Sequence, residues 1–257
     1  MRFASLGSGS EGNATLVQSR DRQPTKVLVD CGLGRRELER RMARLGCSPE
    51  RLDAIVLTHA HGDHVRGAFS VAAAYGVAVH MTHGTARALA GRFGNARVVL
   101  FAAEQRFEIG DLRFEPVAVP HDCHEPVQYV LEDSASRMAV LTDLGHPTAH
   151  VIRALRALDA LVLECNHDEA MLAANQRYPA ELKRRIAGPY GHLANSQAAQ
   201  ILGAIGQEQL RVVVGAHLSK HNNQPELARS ALLGAVTQPH VVVTIADQEG
   251  SGGWVEL

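Results

Sequence analysis

Short apolar runs alternate with segments of helical period along almost the whole chain. Phe3 to Leu6 and Ala14 to Val17 read as strands around the turn-rich stretch GSGSEGN, and Val27 to Val29 as a third strand ending at Asp30-Cys31-Gly32. Leu38, Met42 and Leu45 recur at helical spacing, which predicts a helix over Arg35 to Leu45 that Gly46 ends. Ala54 to Leu57 predicts a buried strand running into THAHGDH, followed by a helix from Val65 to Tyr75 and a strand at Ala78 to Met81. Residues Ala96 to Val119 are strand-like, with a hairpin signal at Ile109-Gly110-Asp111. Val127 to Leu131 and Met138 to Leu141 form a further pair. Beyond them the pattern predicts a helix at Val151 to Leu158, a strand at Leu161 to Leu163 ending at Glu164, and two helices flanking Gly188 to Asn195. Val212 to Val214 is a strand ending at Gly215-Ala216-His217. A helix follows Pro225, and a strand at Val241 to Thr244 precedes Trp254-Val255-Glu256.

Strand–helix units in both halves, with a strand-rich middle, predict one layered α/β domain over residues 1–257, with sheets inside and helices outside. Polar clusters recur just after apolar strands, at Asp30, His59 to His64, His121, Asp143, Glu164 and His217. Side chains at strand ends can converge on one rim of a sheet core, where α/β sites usually lie. Apolar residues make up 46% and charged residues 21%, which excludes intrinsic disorder. No apolar run reaches the length of a membrane span, and MRFASLGSGSEG lacks the apolar core of a signal peptide. A cytoplasmic protein without membrane contact is the expectation. The net charge of −1 excludes a global basic field. Four scattered cysteines, Cys31, Cys47, Cys123 and Cys165, contain no CxxC and read as free thiols. Histidine is abundant at 14 residues, and many lie in turn-like segments, which directs attention to metal chemistry.

THAHGDH places His59, His61, Asp63 and His64 within six residues, directly after an apolar strand. Such groups crowded at one turn repel or stay unsatisfied unless a cation organises them. On extended chain His59 and His61 point the same way, and the turn at Gly62 lets Asp63 and His64 face a second point, so the spacing suits two adjacent ions. HxHxDH after a strand resembles the signature of the metallo-β-lactamase superfamily, and the other motifs follow in order. Asp30 in LVDCG resembles the acid that supports the ligand loop. His121 in VPHDCHEP, Asp143 in LTDLG and His217 in GAHLSKHNN resemble the later ligands. The resemblance covers essentially the whole chain. It implies a four-layer αβ/βα sandwich with two divalent ions, His59, His61 and His121 on the first, Asp63, His64 and His217 on the second, and Asp143 bridging beside a hydroxide. Imidazole and carboxylate donors fit Zn²⁺ and also Mn²⁺. His124 competes with His121, and His221 with His217. His121 and His217 are preferred because they directly follow strands.

Three further stretches bear on the reaction. SGSEGNATLV resembles the SGSxGN opening of the YycJ/WalJ family of small metallo-β-lactamase-fold exonucleases, with Ala14 where that family commonly has Ser. LECNHD, containing Glu164, and YGHLANSQAA, containing His192, resemble motifs of ribonuclease Z and related nucleases. A Glu164–His192 pair can orient and protonate a leaving group. The helix expected to start near Asn195 or Ser196 offers free N–H groups to a phosphate. In the run Leu182-Lys183-Arg184-Arg185-Ile186, Lys183 and Arg184 are the candidate contacts to a nucleic-acid backbone. Asp143 and His217 lie only 74 positions apart, which leaves little room for a large inserted nuclease domain and leaves short loops, or a partner in a homo-oligomer, to set substrate access. The resemblance implies a phosphodiesterase acting on nucleic acid, DNA in the first instance. A carbonyl hydrolase acting on a thioester, lactone or β-lactam is the alternative, and a non-catalytic nucleic-acid-binding protein is the third reading.

Overall fold

The computed structural model describes residues 1–257 and consists of two seven-stranded sheets packed face to face with helices on both outer faces. The first sheet contains β1 (Arg2–Gly7), β2 (Ala14–Gln18), β3 (Lys26–Val29), β4 (Ala54–Val56), β5 (Ala78–Thr82) and β6 (Val98–Phe101) in chain order. The second contains β7 (Phe107–Ile109), β8 (Leu112–Ala118), β9 (Val127–Glu132), β10 (Arg137–Leu141), β11 (Ala160–Glu164), β12 (Val212–Ala216) and β13 (Val242–Ile245). The final strand β14 (Val255–Glu256) returns to pair antiparallel with β1 and completes the first sheet. Each sheet is antiparallel in one half and parallel in the other: β3 to β6 run parallel, as do β10 to β13.

Strand residues alternate between two cores. Val27, Val29, Ala54, Val56, Val162, Val212 and Val214 fill the layer between the sheets, together with Phe114 and Tyr129. Leu28, Ile55 and Val79 face outward onto α1 (Arg35–Arg44) and α3 (Ala68–Tyr75). Leu161, Leu163 and Val213 face the opposite helices, α5 (Ala149–Ala154), α8 (Asn195–Ala204) and α9 (Pro225–Ala235). This is the four-layer αβ/βα sandwich implied by the sequence.

The departures are local. Helical turns begin at Gly62, earlier than expected, and break between α2 (Gly62–Val65) and α3. In an unbroken helix Gly67 N–H would bond the Asp63 carbonyl, but Asn13 N–H takes that carbonyl at 2.8 Å and Cys31 N–H takes the next, on His64, at 2.7 Å. Gly67 N–H turns to Cys31 O instead, at 2.8 Å. The helix expected at Val151 to Leu158 starts at Ala149, because Thr148 caps Val151 N–H at 3.1 Å, and it is over by Ala154. Two short helices escaped the pattern altogether, α4 (His83–Ala88) and α6 (Glu169–Ala174), whereas α7 (Ala180–Ile186) and α8 are the pair flanking Gly188 to Asn195. No helix is long and apolar enough to cross a membrane.

Candidate metal centre

Parallel strands of both sheets end on one rim, and three residues that leave them take left-handed backbone: Asp30 after β3 (φ 60°), Asp143 after β10 (φ 51°) and His217 after β12 (φ 55°). Non-glycine residues in that region are held there by their surroundings. Asp30 N–H bonds Val56 O at 2.9 Å. At His217 the N–H donates to the Ser8 hydroxyl at 2.7 Å, and Asn166 Nδ2 donates to the carbonyl at 3.1 Å. The GSGSEGN stretch is thus a brace for the rim.

The rim gathers His59, His61, Asp63, His64, His121, Asp143 and His217. Ligand atoms of His59, His61 and His121 lie within 4.8 Å of one another, as do those of Asp63, His64 and His217, and those of His59, His64 and Asp143. His121 Nε2 is 3.2 Å from His61 Nδ1, and His64 Nε2 is 2.9 Å from Asp143 Oδ2. His217 Nε2 stands 3.5 Å from Asp63 Oδ2. The other ring nitrogens are already engaged. Thr58 Oγ1 meets His59 Nδ1 at 2.9 Å, Asp30 Oδ2 meets His64 Nδ1 at 2.8 Å, and the Gly191 carbonyl meets His121 Nδ1 at 3.0 Å. Such partners fix tautomers and leave the inner nitrogens as lone pairs. Asp30 also accepts from Thr58 N–H and Oγ1, so it ties Thr58 at the start of the ligand turn to His64 at its end. Asn13 Nδ2 donates to Asp63 Oδ2 at 3.3 Å and lies 3.0 Å from His64 Nε2.

His59 Nε2 is buried with no hydrogen-bond partner. Such an orphan costs about 1–3 kcal/mol. A buried lone nitrogen whose ligand atom lies within 4.8 Å of those of His64 and Asp143 fits a divalent cation. Without one, the cluster is an imidazolium–carboxylate network. Burial opposes the charge on His217, but Asp143, Asp63 and Glu164 hold its imidazole up at about 10. Burial likewise opposes the charge on His64, and Asp143 and Asp30 still raise it.

Glu164, fully buried at the end of β11, accepts four hydrogen bonds. Oε1 takes His192 Nδ1 at 2.9 Å and His217 Nδ1 at 2.8 Å; Oε2 takes the N–H groups of Leu144 at 2.9 Å and Leu193 at 3.1 Å. Burial would raise its pKa, but the two imidazoles pull it down to about 2. Glu164 therefore serves a candidate ligand as well as His192. His192 lines the cleft beside the cluster; its burial is outweighed by Glu164, so its pKa is raised.

The remaining expectations fare differently. Asn195 begins α8, but its side chain is buried and exchanges hydrogen bonds with Asn223 at 2.9 and 2.8 Å, away from the cleft; Ser196 is exposed outside the cleft lining. Neither is placed to meet a substrate at the cluster. Helical register separates Lys183 and Arg184 from the cleft too. Leu182, Arg185 and Ile186 face it, whereas Lys183 Nζ bonds Ala173 O at 2.6 Å and Arg184 Nε reaches Ala180 O at 3.4 Å. His124 and His221 are exposed and join no ligand group. Burial, then Asp143 and Asp122, push the Cys123 thiol up to about 12, so it stays a thiol. Sequence reasoning missed Asp122, Asn13, Ser8 and Asn166, and took Arg185 only as part of the basic run. Only the spacing of Leu182, Arg185 and Ile186 on one helix face carried a readable signal.

Residues 25–217 match a family described as a β-lactamase superfamily domain. Over 235 residues the chain is 31% identical to exodeoxyribonuclease YycJ of Bacillus anthracis, covering 90% of this chain and 88% of the relative. The chain belongs to the metallo-β-lactamase superfamily, in its YycJ/WalJ branch. It is 29% identical over 250 residues to exodeoxyribonuclease WalJ of Streptococcus pneumoniae, covering 95% of this chain and 91% of that one. Among solved structures, the metallo-β-lactamase-fold protein YhfI of Bacillus subtilis superposes with a TM-score of 0.75 at 19% identity, covering 99% of each chain. Zn²⁺-bound PqqB of Methylobacterium extorquens gives 0.75 at 15% identity over the full length of both. These two likenesses show the fold. Membership in this superfamily makes the protein a metal-dependent hydrolase.

Proposed function

We propose that the protein is a two-metal phosphodiesterase acting on DNA, an exonuclease of the cytoplasm, where its four unpaired cysteines stay reduced. His59, His61 and His121 would hold one divalent ion, Zn²⁺ or Mn²⁺, and Asp63, His64 and His217 the other, with Asp143 shared. When bound, such ions supply an activated water and neutralise charge on the phosphoryl oxygens. The chain supplies the rest. His192 Nδ1 is tied to Glu164 at 2.9 Å, which leaves Nε2 as the nitrogen that serves the cleft. Against the opposing effect of burial, Glu164 raises the pKa of His192, toward the protonated state a general acid needs. An alkoxide leaving phosphorus gains from that proton.

The observation that carries this reading is the Glu164–His192 pair beside the ligand cluster, in a chain whose relatives over most of its length are named exodeoxyribonucleases. His192→Ala should keep its metal and its fold but lose roughly 100- to 10,000-fold in turnover on DNA. The loss should shrink on bis-nitrophenyl phosphate, whose leaving group needs no proton. Equal losses on both would assign His192 to phosphate positioning. A wild-type protein that turns over thioesters or lactones and leaves oligonucleotides intact would overturn the proposal.

A further inference from the structure

The cleft over the ligand cluster has a volume of about 370 Å³ and sixteen lining residues, among which Asp63, Asp122 and Asp143 are acidic. Arg185 is the one lysine or arginine in that lining. A polyanion entering here meets carboxylates, and the cations at the ligand cluster can neutralise only those beside them. Asp122 lies at the edge, with Oδ1 3.5 Å from His61 Nε2 and 3.6 Å from His121 Nε2. Its other oxygen receives Arg185, from Nε at 2.7 Å and Nη2 at 2.6 Å. Both bonds go to one oxygen, so the remaining donors of the guanidinium are uncommitted, and the side chain is 66% exposed. Leu182 and Ile186, one turn before and one residue after, set an apolar shelf beside it.

We infer that Arg185 is a substrate-binding residue: it holds a non-scissile phosphate of single-stranded DNA and rests on Asp122 when the cleft is empty. The inference rests on the phosphodiesterase reading. A planar guanidinium suits a phosphate, because it can donate two parallel bonds to it. Asp122 keeps the group extended over the cleft, so less side-chain freedom is lost when the phosphate arrives. The pair also hides the Asp122 charge from the incoming strand.

The test is equilibrium binding of a cleavage-resistant phosphorothioate oligodeoxynucleotide to metal-replete protein over a salt series. Arg185→Ala should bind about tenfold more weakly at low salt. Its log–log salt slope should be shallower by about 0.7, the share of one phosphate contact on a single strand. Arg185→Lys should recover the slope and only part of the affinity, since it keeps the charge and loses the fork. In steady state on cleavable DNA, Arg185→Ala should raise KM more than it lowers kcat. Unchanged affinity and slope in Arg185→Ala, with wild-type protein cleaving DNA, would overturn the role of Arg185 and leave the enzyme's reading intact. Wild-type protein that neither binds nor cleaves the oligonucleotide would remove both.

Discussion

Glu164 accepts four N–H groups through two oxygens, and only an ionised carboxylate can do so. A glutamine there would have one acceptor oxygen and one NH₂ group. If the oxygen stays with Leu144 and Leu193, the NH₂ faces His192 and His217 and makes their Nδ1 atoms accept. The proton of each neutral imidazole then moves to Nε2, the nitrogen that His217 presents toward Asp63. Glu164→Gln should therefore weaken binding of the second metal equivalent by about 10- to 100-fold, the usual cost of losing a group that orients a ligand. His192→Ala should leave that affinity alone. Titration calorimetry on metal-stripped protein separates the two variants, and equal second-equivalent affinities would show that Glu164 serves His192 alone. Asn13 works at the same scale. Its Oδ1 accepts from Gly9 N–H at 2.7 Å, which aims the amide donors at Asp63 and His64.

The loop between α7 and α8 shows how elements deliver these residues. It doubles back on the end of α7: Gly191 N–H bonds Gly188 O at 2.9 Å and His192 N–H bonds Ile186 O at 2.9 Å. A Cβ at Gly191 would stand 2.1 Å from Ile186 O and 2.3 Å from Arg185 O, both backbone atoms. Gly191 O also fixes His121 Nδ1. Gly191→Ala should lower stability by about 1–3 kcal/mol and weaken metal binding together, because relieving the overlap moves the carbonyl that orients His121. Gly203→Ala, on α8 with nothing within 4 Å, should leave metal binding alone and stabilise by about 0.5–1 kcal/mol. Thermal melts with and without metal distinguish the pair. The same element explains what the sequence could and could not reveal. THAHGDH was legible because its groups are neighbours in the chain and follow a strand. Asp30, Asp143, Glu164 and His217 were legible because each sits where an apolar run stops. Contacts such as Asn13 with His64 and Asp122 with Arg185 join residues 51 and 63 positions apart, and no local pattern records them. Composition marks the basic run without fixing which of its residues faces the cleft, and Lys183 and Arg184 lie outside the cleft lining. The break after Val65 was hidden for a similar reason, since its cause, Asn13 and Cys31, lies in other loops.

At the scale of the whole molecule, one rim joins the two sheets, so the charge state of the cluster is also a term in the stability of the sandwich. His217 is held at about 10 in the folded, metal-free protein, against 6.5 without the fold. A raised imidazole contributes its full stabilisation below 6.5, and the contribution drains away as pH climbs toward 10. Glu164 is held at about 2 against 4.5, so its contribution is present above 4.5 and is lost as pH falls through 2. Both are in place between 4.5 and 6.5, which is where the metal-free cluster should stabilise most. Metal binding has the opposite slope, because His217 must give up its proton to become a ligand, so affinity rises with pH. Melting curves in a chelator should accordingly show Tm falling from pH 6.5 to 8.5, while the increment in Tm on adding metal grows over the same range. Direct proton release on metal addition, followed with an indicator dye, should be about the same at pH 6.5 and 8.5, because an imidazole held at about 10 keeps its proton across that window until metal displaces it. A chelated protein whose Tm rises across this window would mean that His217 is neutral before metal arrives. The buried network of His217, Glu164 and Asp143 would then have to be rebuilt with its protons elsewhere.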